Sequence, residues 1–414
     1  MLCLEYIDNW RKIMINLDGK YSNAIIYTDN IEKEALSQVI ELINTPAFVD
    51  ANVRIMPDTH AGKGCVIGFT ALMKDRVVPN LIGVDIGCGM LTVKLDKSEL
   101  NLSDIDDYIR HNIPHGFKNN NKVVANVSSI EDDVKKIGKK LGRDFGEFLK
   151  GVGSLGGGNH FIEINVDSED NKYLVIHSGS RNFGKCVAEY HQRIAEKYCA
   201  DKVKAFHKEK IESFKQEGKF EELQNYIEET KQYNEKYKTP KHLCFLEGTL
   251  KDEYIYDLRI AQKYASISRH NMANRIVKSL GLNEIERFET IHNYIDENGI
   301  IRKGAISAEL EELVLIPLNM RDGSILAIGK GNKDWNYSAP HGAGRLMSRS
   351  KAKDTLKLED FEKEMANVYS TSVKQSTLDE APMAYKPSEE IIMLVQDTVE
   401  ILDIIKPIYN FKSN

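Results

Sequence analysis

The stretch Gly83-Val84-Asp85-Ile86-Gly87-Cys88-Gly89-Met90 lies at the centre of the part of the chain that defines its fold. Around it, from residue 53 to 95, short β-branched runs alternate with glycine. This pattern predicts buried strands joined by tight turns, among them a strand at 81–84. Glycine lets the backbone fold back, so a carboxylate and a thiolate three positions apart, Asp85 and Cys88, can reach one cation. The structural alternative is an Asx turn at a strand end beside a buried cysteine.

Hydrophobic periodicity along the rest of the chain indicates both helices and strands. Apolar residues recur every three or four positions in some segments, and short apolar runs bounded by turn residues occur in others. Helices are predicted near 31–43, 129–150, 252–280 and 389–405, and strands near 24–28, 161–166, 173–177, 313–316 and 325–328. Residues 201–240 carry nine Lys and nine Asp or Glu, which predicts a solvated helical hairpin with a break near Gly218.

The composition is that of a globular protein. The chain has 414 residues, of which 42% are apolar and 29% are charged, so wholesale disorder is excluded. With 62 Asp and Glu against 56 Lys and Arg, the net charge of −6 excludes a basic coat for nucleic acid. A local basic patch is still allowed, and residues 321–353 hold seven Lys or Arg against two Asp.

The expected cellular compartment follows from the lack of membrane-helix and signal-peptide patterns in the sequence. No run approaches the ~18 apolar residues that a membrane helix needs. The first residues have neither the basic start nor the apolar stretch of a signal peptide. The six cysteines are sparse, and no close pair suggests a zinc ribbon. We therefore expect reduced thiols in a cytoplasmic protein.

Two further glycine-rich segments place a histidine beside other polar residues. Residues 156–163 read Gly-Gly-Gly-Asn-His-Phe-Ile-Glu, a flexible backbone that can deliver Asn159, His160 and Glu163 to one place. His177 begins the segment His-Ser-Gly-Ser-Arg at the end of an apolar strand, where α/β proteins commonly build sites. The guanidinium of Arg181 in this segment can pair with a phosphate through two parallel hydrogen bonds.

A third segment places His341 between a proline and Gly-Ala-Gly, with Arg345 and Arg349 just beyond it. A neutral imidazole beside exposed backbone N–H groups and guanidinium groups suits phosphoryl chemistry. The alternative is a helix N-terminus with a capping role. His292, in Thr-Ile-His-Asn-Tyr, is on its own better explained as a core histidine, and His60 as a support for neighbouring ligands.

Taken together, these residues form a set of cysteine, histidine and carboxylate donors for a borderline-soft divalent ion. The candidate metal ligands are Asp85, Cys88, His160, His177 and His292. Mixed oxygen, nitrogen and sulfur donors with two cation positions suit Mn²⁺, with Zn²⁺ or Co²⁺ as competitors. The chain contains no Walker A sequence, so a nucleotide would not be held by a P-loop.

In this combination and order, the motifs resemble those of the RtcB family, the GTP-dependent RNA ligases that join a 3′-phosphate or 2′,3′-cyclic phosphate to a 5′-hydroxyl. The matching segments are 56–64, 83–90, 156–163, 177–181, 292–294, 302–305 and 341–349. The resemblance implies a family-specific α/β (α+β) fold, with mixed β-sheets surrounded by helices around a central metal and nucleotide site. Because the implied site draws on the full length, we expect one integrated domain over 1–414, with a helical hairpin excursion at about 186–240.

The resemblance also implies roles for individual positions. The candidate metal ligands would hold two Mn²⁺ ions bridged by Cys88, and His341 would be the nucleophile that GTP guanylylates. Arg181, Arg345 and Arg349 are, from their charge and position, candidates for RNA phosphate contacts. Contacts to the guanine nucleotide are expected from Asn159, Phe161, Glu163, Asn293, Pro317, Asn319, Met320, Ser324, Gly342, Ala343, Gly344 and Lys412.

Two further expectations concern particular residues of the implied site. His270 is also followed by Asn, but the family's ligand closely precedes Arg-Lys-Gly-Ala, so we choose His292 and expect His270 on a helix surface. In a regular strand His160 and Glu163 would face opposite sides, so the segment is expected to begin as a loop.

The sequence leaves the biological role open. Residues 317–323 read Pro-Leu-Asn-Met-Arg-Asp-Gly, where the best-known members have Pro-Gly-Ser-Met, so RNA repair and tRNA splicing are both open. The need for an activating protein partner is open as well. Two alternative functions are a binuclear-metal phosphoesterase that opens cyclic phosphates without ligation, and a non-catalytic RNA-binding or protein scaffold.

Overall fold

Most strands of the chain belong to two large β-sheets. The computed structural model describes residues 14–236 and 239–413. In chain order the strands are β1 (Ile15–Asp18), β2 (Asn23–Ile26), β3 (Asn52–His60), β4 (Ile67–Leu72), β5 (Arg76–Val77), β6 (Gly89–Leu95), β7 (Phe161–Val166), β8 (Lys172–Ser178), β9 (Leu246–Glu247), β10 (Glu284–Ile291), β11 (Asn293–Ile295), β12 (Ile300–Lys303), β13 (Ala305–Ser307), β14 (Leu313–Asn319), β15 (Gly323–Gly329), β16 (Ser338–Pro340) and β17 (Val399–Lys412). The α-helices are α1 (Lys33–Ile43), α2 (Leu102–Asn112), α3 (Glu131–Leu141), α4 (Phe145–Lys150), α5 (Arg181–Gln216), α6 (Phe220–Lys236), α7 (Gly248–Ser279), α8 (Arg349–Thr355), α9 (Leu358–Glu364) and α10 (Ser388–Leu394).

The two large sheets differ in strand direction. The first has six strands in the order β1-β2-β3-β4-β12-β11, with β2 parallel to β3 and the other neighbours antiparallel. The second has seven antiparallel strands in the order β10-β6-β8-β7-β17-β15-β14. The short pair β13–β16 contacts β10 of the second sheet and β3 and β4 of the first. With helices packed around these sheets, the structure confirms the expected mixed α/β fold.

Side chains along the strands of the second sheet alternate between a face that packs in the hydrophobic core and a face that carries polar groups. On β7, Ile162 and Ile164 belong to a buried cluster that includes side chains of α2 and α7. Phe161 and Glu163 face the other side of the sheet, as the period of two requires. On β8, His177 lies opposite Phe161 and faces the same side. The sheet therefore presents polar groups on one face without interrupting its hydrophobic core.

Most of the predicted elements are present at the predicted places, but the helix predicted near 129–150 is divided at Gly142 into α3 and α4. Two other predictions are wrong. The helix expected at 389–405 ends at Leu394, and β17 occupies 399–412. β17 pairs with β15 and β7 inside the second sheet, and this tertiary pairing overrides the local helical spacing of its apolar residues. The strand expected at 81–84 is replaced by a 3₁₀ turn over Pro79–Leu81, and Gly83 continues the turn with a φ of +81°.

The helices α5 and α6 form the predicted hairpin. The chain reverses at Gly218, which has a φ of +68°, so the predicted break is confirmed. The helix α5 begins at Arg181, a few residues before the predicted start. Nδ1 of His207 and the hydroxyl of Tyr226 lie 2.9 Å apart and connect the two helices. Among the described residues, no helix has both the length and the apolar character needed to cross a membrane.

The turn between β14 and β15 provides a test of this packing. Gly323 has a φ of +86°, and a Cβ on it would overlap the carbonyl oxygen of Ile405 on β17. We expect Gly323→Ala to lower the free energy of unfolding by more than the about 1–2 kcal/mol of a left-handed alanine alone. Gly142→Ala is the matched control, because Gly142 has a φ of +64° with open space around it. Denaturant unfolding followed by circular dichroism measures both variants, and equal losses would contradict the close approach.

Candidate functional site

A cavity of about 280 Å³ opens on the polar face of the second sheet. Its wall is formed by residues at or next to the ends of β3, β6, β7, β8 and β17, and by the segment that follows β16. The lining extends in sequence from His60 to Lys412. Distant parts of the chain therefore meet at this one place.

Two groups of potential metal ligands meet at Cys88 beside this cavity. One group is Cys88, His177 and His292, and the other is Asp85, Cys88 and His160. Within each group the ligand atoms lie within 4.8 Å of one another. Sγ of Cys88 is 3.2 Å from Nε2 of His177 and 3.5 Å from Nε2 of His160. A thiolate common to both groups is placed where it could bridge two cations.

Backbone pairing around Cys88 holds these donors together. The strand β6, which begins at the next residue, pairs with β8 on one side and with β10 on the other. The backbone N–H of His292 donates to the carbonyl of Cys88 at 2.9 Å. A Cβ on Gly89 would lie 2.6 Å from the carbonyl oxygen of Thr290, so a larger residue would push β10 away. This glycine therefore permits the approach that brings His292 beside Cys88.

Two of the imidazoles are oriented through Nδ1. Nδ1 of His160 lies 2.8 Å from the carbonyl oxygen of Leu155, and Nδ1 of His177 lies 3.1 Å from the carbonyl oxygen of Asn159. An Nδ1–H that donates to a backbone carbonyl leaves Nε2 with a lone pair for a metal ion. Nε2 of His177 and Nε2 of His292 are 3.3 Å apart. The arrangement thus points several lone pairs at one small volume.

Burial sets the charge of these groups. It lowers the pKa of His177 and His292 well below the ordinary value, and the neighbouring histidines act in the same direction. Burial also raises the pKa of the Cys88 thiol well above its ordinary value, as does the charge of Asp85. For Asp85 burial acts upward, but the charge and hydrogen bond of His160 outweigh it and lower the pKa. Neutral imidazoles are ready to ligate, and a cation would replace the thiol proton.

His341 is paired with a buried carboxylate at the edge of this cluster. Its Nδ1 lies 2.6 Å from Oδ2 of Asp58, and its backbone N–H donates to the same oxygen at 3.2 Å. The Asp58 side chain is fully buried, whereas that of His341 is 19% exposed. The rings of His341 and His292 are 5.0 Å apart. Pairing at Nδ1 leaves Nε2 free to react, as where a carboxylate orients a catalytic histidine.

A second polar cluster lies on β7 and β17. The buried carboxylate of Glu163 accepts hydrogen bonds from the side-chain amides of Asn410 and Asn165. Burial raises the pKa of Glu163 to about 7, against the opposing charge of Lys412. Nζ of Lys412 lies 2.6 Å from Glu380, and the cations around Glu380 outweigh its burial and lower its pKa to about 2. The cavity wall thus contains a buried ion pair beside a carboxyl group that titrates near neutrality.

The structure brings most of the predicted site residues to the cavity wall. Those that line it are Asp85, Cys88, Asn159, Phe161, Glu163, His177, His292, Asn293, Pro317, Asn319, Met320, His341, Gly342, Ala343, Gly344, Arg345, Arg349 and Lys412. His160 precedes β7 and reaches the same cluster behind the wall, as expected if the segment begins as a loop. Ser324 is fully buried on β15, opposite Pro317, and is not part of the lining.

The three arginines predicted to contact RNA make contacts within the protein. Arg181 donates to the carbonyl of Gly116 at 2.7 Å. Arg349 lies 2.7 Å from the Glu380 carboxylate and Arg345 lies 3.6 Å from it. Arg345 and Arg349 line the cavity, so both lie where a phosphate could reach them. Their contact with RNA, and that of Arg181, stays a prediction.

The structure reveals three residues at or beside the cavity that no sequence pattern indicates. Asp58 lies within a matching motif, but its pairing with His341 spans 283 positions and has no local signal. Glu380 and Tyr385 line the cavity without any glycine-rich or histidine motif around them. The proline and threonine beside Asp58 give no sign that its carboxylate is buried.

The remaining histidines that the sequence singles out fall where they were expected. Nδ1 of His60 lies 3.0 Å from the carbonyl of Asp58, and the residue lines the cavity, consistent with a supporting position. The side chain of His270 is 37% exposed on α7 and lies 3.7 Å from Glu289, so it belongs to the helix surface.

In this mixed α/β fold, a candidate metal-binding cluster lies beside a histidine that is paired with a carboxylate. The chain belongs to the RtcB family: the family model described as tRNA-splicing ligase RtcB matches residues 38–147 and 142–413. It is thus a member of a ligase family.

Curated relatives match along nearly their whole length. The chain is 30% identical to the RNA-splicing ligase RtcB of Escherichia coli strain K12, over 91% of this chain and 94% of that protein. It is 26% identical to the tRNA-splicing ligase RtcB of Aeropyrum pernix, over 89% of this chain and 90% of that protein.

The shared position of Cys88 predicts the behaviour of a single substitution. Cys88→Ala removes a donor from both ligand groups, so we expect it to weaken divalent-cation binding at both groups rather than at one of them. Binding is measured by Mn²⁺ titration with electron paramagnetic resonance. Cys186→Ala is the control, because Cys186 lies on α5 outside both groups. Loss of only one class of Mn²⁺ from Cys88→Ala would show that the two groups do not share the thiol.

Proposed function

We propose that this protein is a GTP- and Mn²⁺-dependent RNA ligase that joins a 3′-phosphate or 2′,3′-cyclic phosphate to a 5′-hydroxyl through guanylylated His341. The observation that carries the proposal is a carboxylate-paired histidine beside a cluster of cation ligands in one cavity. Membership of the RtcB family, whose relatives are named RNA-splicing and tRNA-splicing ligases, supports RNA as the substrate.

The ligand atoms around Cys88 fit two metal ions. Imidazoles, a carboxylate and a thiol that a cation would deprotonate match a mixed-donor site for Mn²⁺. The ions would be held by Asp85, Cys88, His160, His177 and His292. Bound there, they would supply Lewis-acid stabilisation of negative charge on phosphoryl oxygens.

His341 is the proposed nucleophile. Its Nε2 attacks the α-phosphorus of GTP, so that an N–P bond forms while the bond to pyrophosphate breaks. Asp58 keeps the proton on Nδ1 and stabilises the positive charge that the ring acquires, because its carboxylate lies 2.6 Å away. Lys412, on the cavity wall, would balance charge on the phosphates of GTP.

Ligation then transfers GMP away from the protein. An oxygen of the RNA 3′-phosphate attacks the phosphorus held by His341, the N–P bond breaks, and the imidazole regains its lone pair. The 5′-hydroxyl oxygen next attacks the activated 3′-phosphate and gives up its proton to water, and GMP leaves with the electron pair of the broken P–O bond, which closes the phosphodiester bond. A 2′,3′-cyclic phosphate is first hydrolysed to the 3′-phosphate by one water molecule.

Recognition of guanine is assigned to the cluster on β7 and β17. A deprotonated Glu163 offers two oxygens to the N1–H and the 2-amino group on the edge of guanine. Phe161 provides an apolar ring, with Nζ of Lys412 5.4 Å from the ring centroid. Asn293, Asn159 and the residues of 342–344 complete the proposed nucleotide contacts, since all of them line the same cavity.

The segment that departs from the family pattern forms part of this wall. Oδ1 of Asn319 accepts hydrogen bonds from the backbone N–H groups of Arg321 and Asp322, and its Nδ2 donates to the Asp322 carboxylate at 2.8 Å. The Asn319 side chain therefore fixes the β14–β15 turn. We propose that Pro317, Asn319 and Met320 shape the nucleotide pocket, and that Ser324 supports it from behind.

We also propose that residues 1–414 form one integrated catalytic domain that acts in the cytoplasm, in RNA repair or tRNA splicing. The spread of the cavity wall from His60 to Lys412 supports a single catalytic unit. In this proposal the α5–α6 hairpin extends from the same single domain. Arg181, Arg345 and Arg349 remain the proposed contacts to RNA phosphates.

The guanylylated histidine gives the proposal a direct test. Incubation with GTP labelled at the α-phosphate and Mn²⁺ should produce an acid-labile protein–GMP adduct that is absent in His341→Ala. Asp58→Asn should slow adduct formation by about 10²- to 10⁴-fold, because the ring loses its fixed orientation. Asp132→Asn, a surface change on α3, is the control.

Different results in this assay would favour the other candidate functions. A protein that opens 2′,3′-cyclic phosphates but forms no adduct would be a phosphoesterase rather than a ligase. A protein that neither forms the adduct nor retains Mn²⁺ would be a scaffold.

The titration of Glu163 predicts how nucleotide choice depends on pH. Because burial raises its pKa to about 7, the carboxyl group is protonated below that pH and accepts fewer hydrogen bonds from guanine. We expect the preference for GTP over ATP to increase as the pH rises through about 7, measured as the ratio of the two dissociation constants. The ratio removes the effects of pH on the metal and phosphate contacts, which both nucleotides share.

Two variants test this assignment. Glu163→Gln should have a weaker preference for GTP that no longer changes near pH 7. Glu147→Gln, on the surface of α4, should behave as the wild type. A preference for GTP that stays independent of pH in the wild type would contradict the role of Glu163.

A further inference from the structure

The most exposed large hydrophobic side chain among the described residues is Phe117, with a relative exposure of 107%. It belongs to the rim loop, residues 115–122, which reads His-Gly-Phe-Lys-Asn-Asn-Asn-Lys. A single exposed hydrophobic residue is common on protein surfaces and has no meaning alone. Its place in the fold and the chemistry of its neighbours give this one significance.

The backbone on both sides of Phe117 is fixed. The N–H of Gly116 donates to the carbonyl of Gly156 at 2.8 Å, and Arg181 donates to the carbonyl of Gly116. Three residues after Phe117, the buried side chain of Asn120 donates to the carbonyls of residues 150 and 152 at 3.1 and 2.9 Å. The aromatic ring is therefore held in water by an anchored loop.

These anchors join the rim loop to the metal and nucleotide cavity. Gly156, the partner of Gly116, lies so close to His160 that a Cβ on it would be 2.5 Å from Nδ1 of that ligand. The ring of His115 packs edge-on against Phe411, with centroids 5.2 Å apart, and Phe411 precedes Lys412 of the cavity wall. Phe117 thus directly follows Gly116, whose backbone is hydrogen-bonded to the segment that leads to the proposed ligand His160.

The charge around Phe117 suits a polyanion. Residues 108–130 contain no Asp or Glu, although the whole chain is acidic. Lys118 and Lys122 are exposed on the rim loop, as are the amide side chains of Asn119 and Asn121. An exposed aromatic ring among lysines and amides is the surface that single-stranded nucleic acids use, since bases stack on the ring and cations contact the phosphates.

We propose that Phe117 stacks against an unpaired base of the RNA strand close to the end being joined, while Lys118 and Lys122 contact its phosphates. This inference rests on the proposed ligase function and adds a binding contact outside the cavity. Stacking on an aromatic ring tolerates any base, so the contact would hold RNA ends of different sequence in place. Phe117 is a positioning residue, because it holds the RNA strand without touching the reacting atoms.

The test measures RNA binding apart from catalysis. A fluorescein-labelled single-stranded RNA with a 3′-phosphate is titrated with the wild type, Phe117→Ala and Phe117→Trp, and its anisotropy is followed. Phe117→Ala should weaken binding by roughly 5- to 150-fold, the effect of losing one stacked base. Phe117→Trp should bind within a few-fold of the wild type, because it keeps an aromatic face. Phe220→Ala, which removes another exposed phenylalanine at the start of the α6 helix, should leave RNA binding unchanged.

The ligation kinetics provide a second readout. Loss of the stacking contact should raise the KM for RNA more than it lowers kcat. Unchanged RNA affinity and KM in Phe117→Ala would overturn the stacking proposal, as would an equal loss in Phe220→Ala. Adduct formation with GTP in the absence of RNA separates the two proposals. A wild type that forms no adduct refutes the ligase function, whereas an adduct together with unaltered RNA binding in Phe117→Ala refutes only the role of Phe117.

Discussion

The meeting of one buried thiol and three buried imidazoles with the partly buried carboxylate of Asp85 is the constraint on which the rest of the site depends. Polar groups removed from water destabilise a fold unless hydrogen bonds or a cation compensate them. Here two of the imidazoles each place a second nitrogen against a backbone carbonyl, and the Nε2 atoms converge on Cys88. The neighbouring strands fix that convergence through register. The register of the strands therefore has to be correct, because a slip by one residue would turn His177 towards the hydrophobic core.

Four of the five clustered residues have a local signal in the sequence, whereas His292 was chosen only through the family resemblance. Their role as metal ligands stays a prediction. Asp85 and Cys88 are surrounded by glycines that only a close backbone approach explains, and His160 and His177 follow the same rule. Asp58 has no such signal, because its significance comes from His341, a partner 283 positions away. The fold shows the same division. Helices and strands with strong local periodicity were predicted correctly, whereas β17 was mistaken for a helix because its state is decided by neighbours distant in sequence.

Three carboxyl groups at the cavity behave differently because their surroundings differ. Glu380 faces several cations, which lower its pKa to about 2, so it remains charged and holds Lys412 and Arg349 in place. Glu163 is buried with amide partners and has a pKa raised to about 7. One oxygen of Asp58 pairs with Nδ1 of the His341 ring and also accepts a hydrogen bond from the backbone N–H of His341. Carboxyl side chains thus supply a structural anchor, a titrating group and an orienting group. The surroundings of each carboxyl group determine which of these roles it has.

The central position of β17 has a consequence for how the protein folds. The pairing of Asn410 with Glu163 joins residues 247 positions apart, and β17 also connects β7 with β15. Closing loops of this length is slow, because chain entropy is lost before any contact compensates it. Until β17 docks, the second sheet is divided and Lys412 is absent from the cavity. The proposed nucleotide pocket is therefore completed late in folding, and a nucleotide bound there would report that the whole sheet has closed.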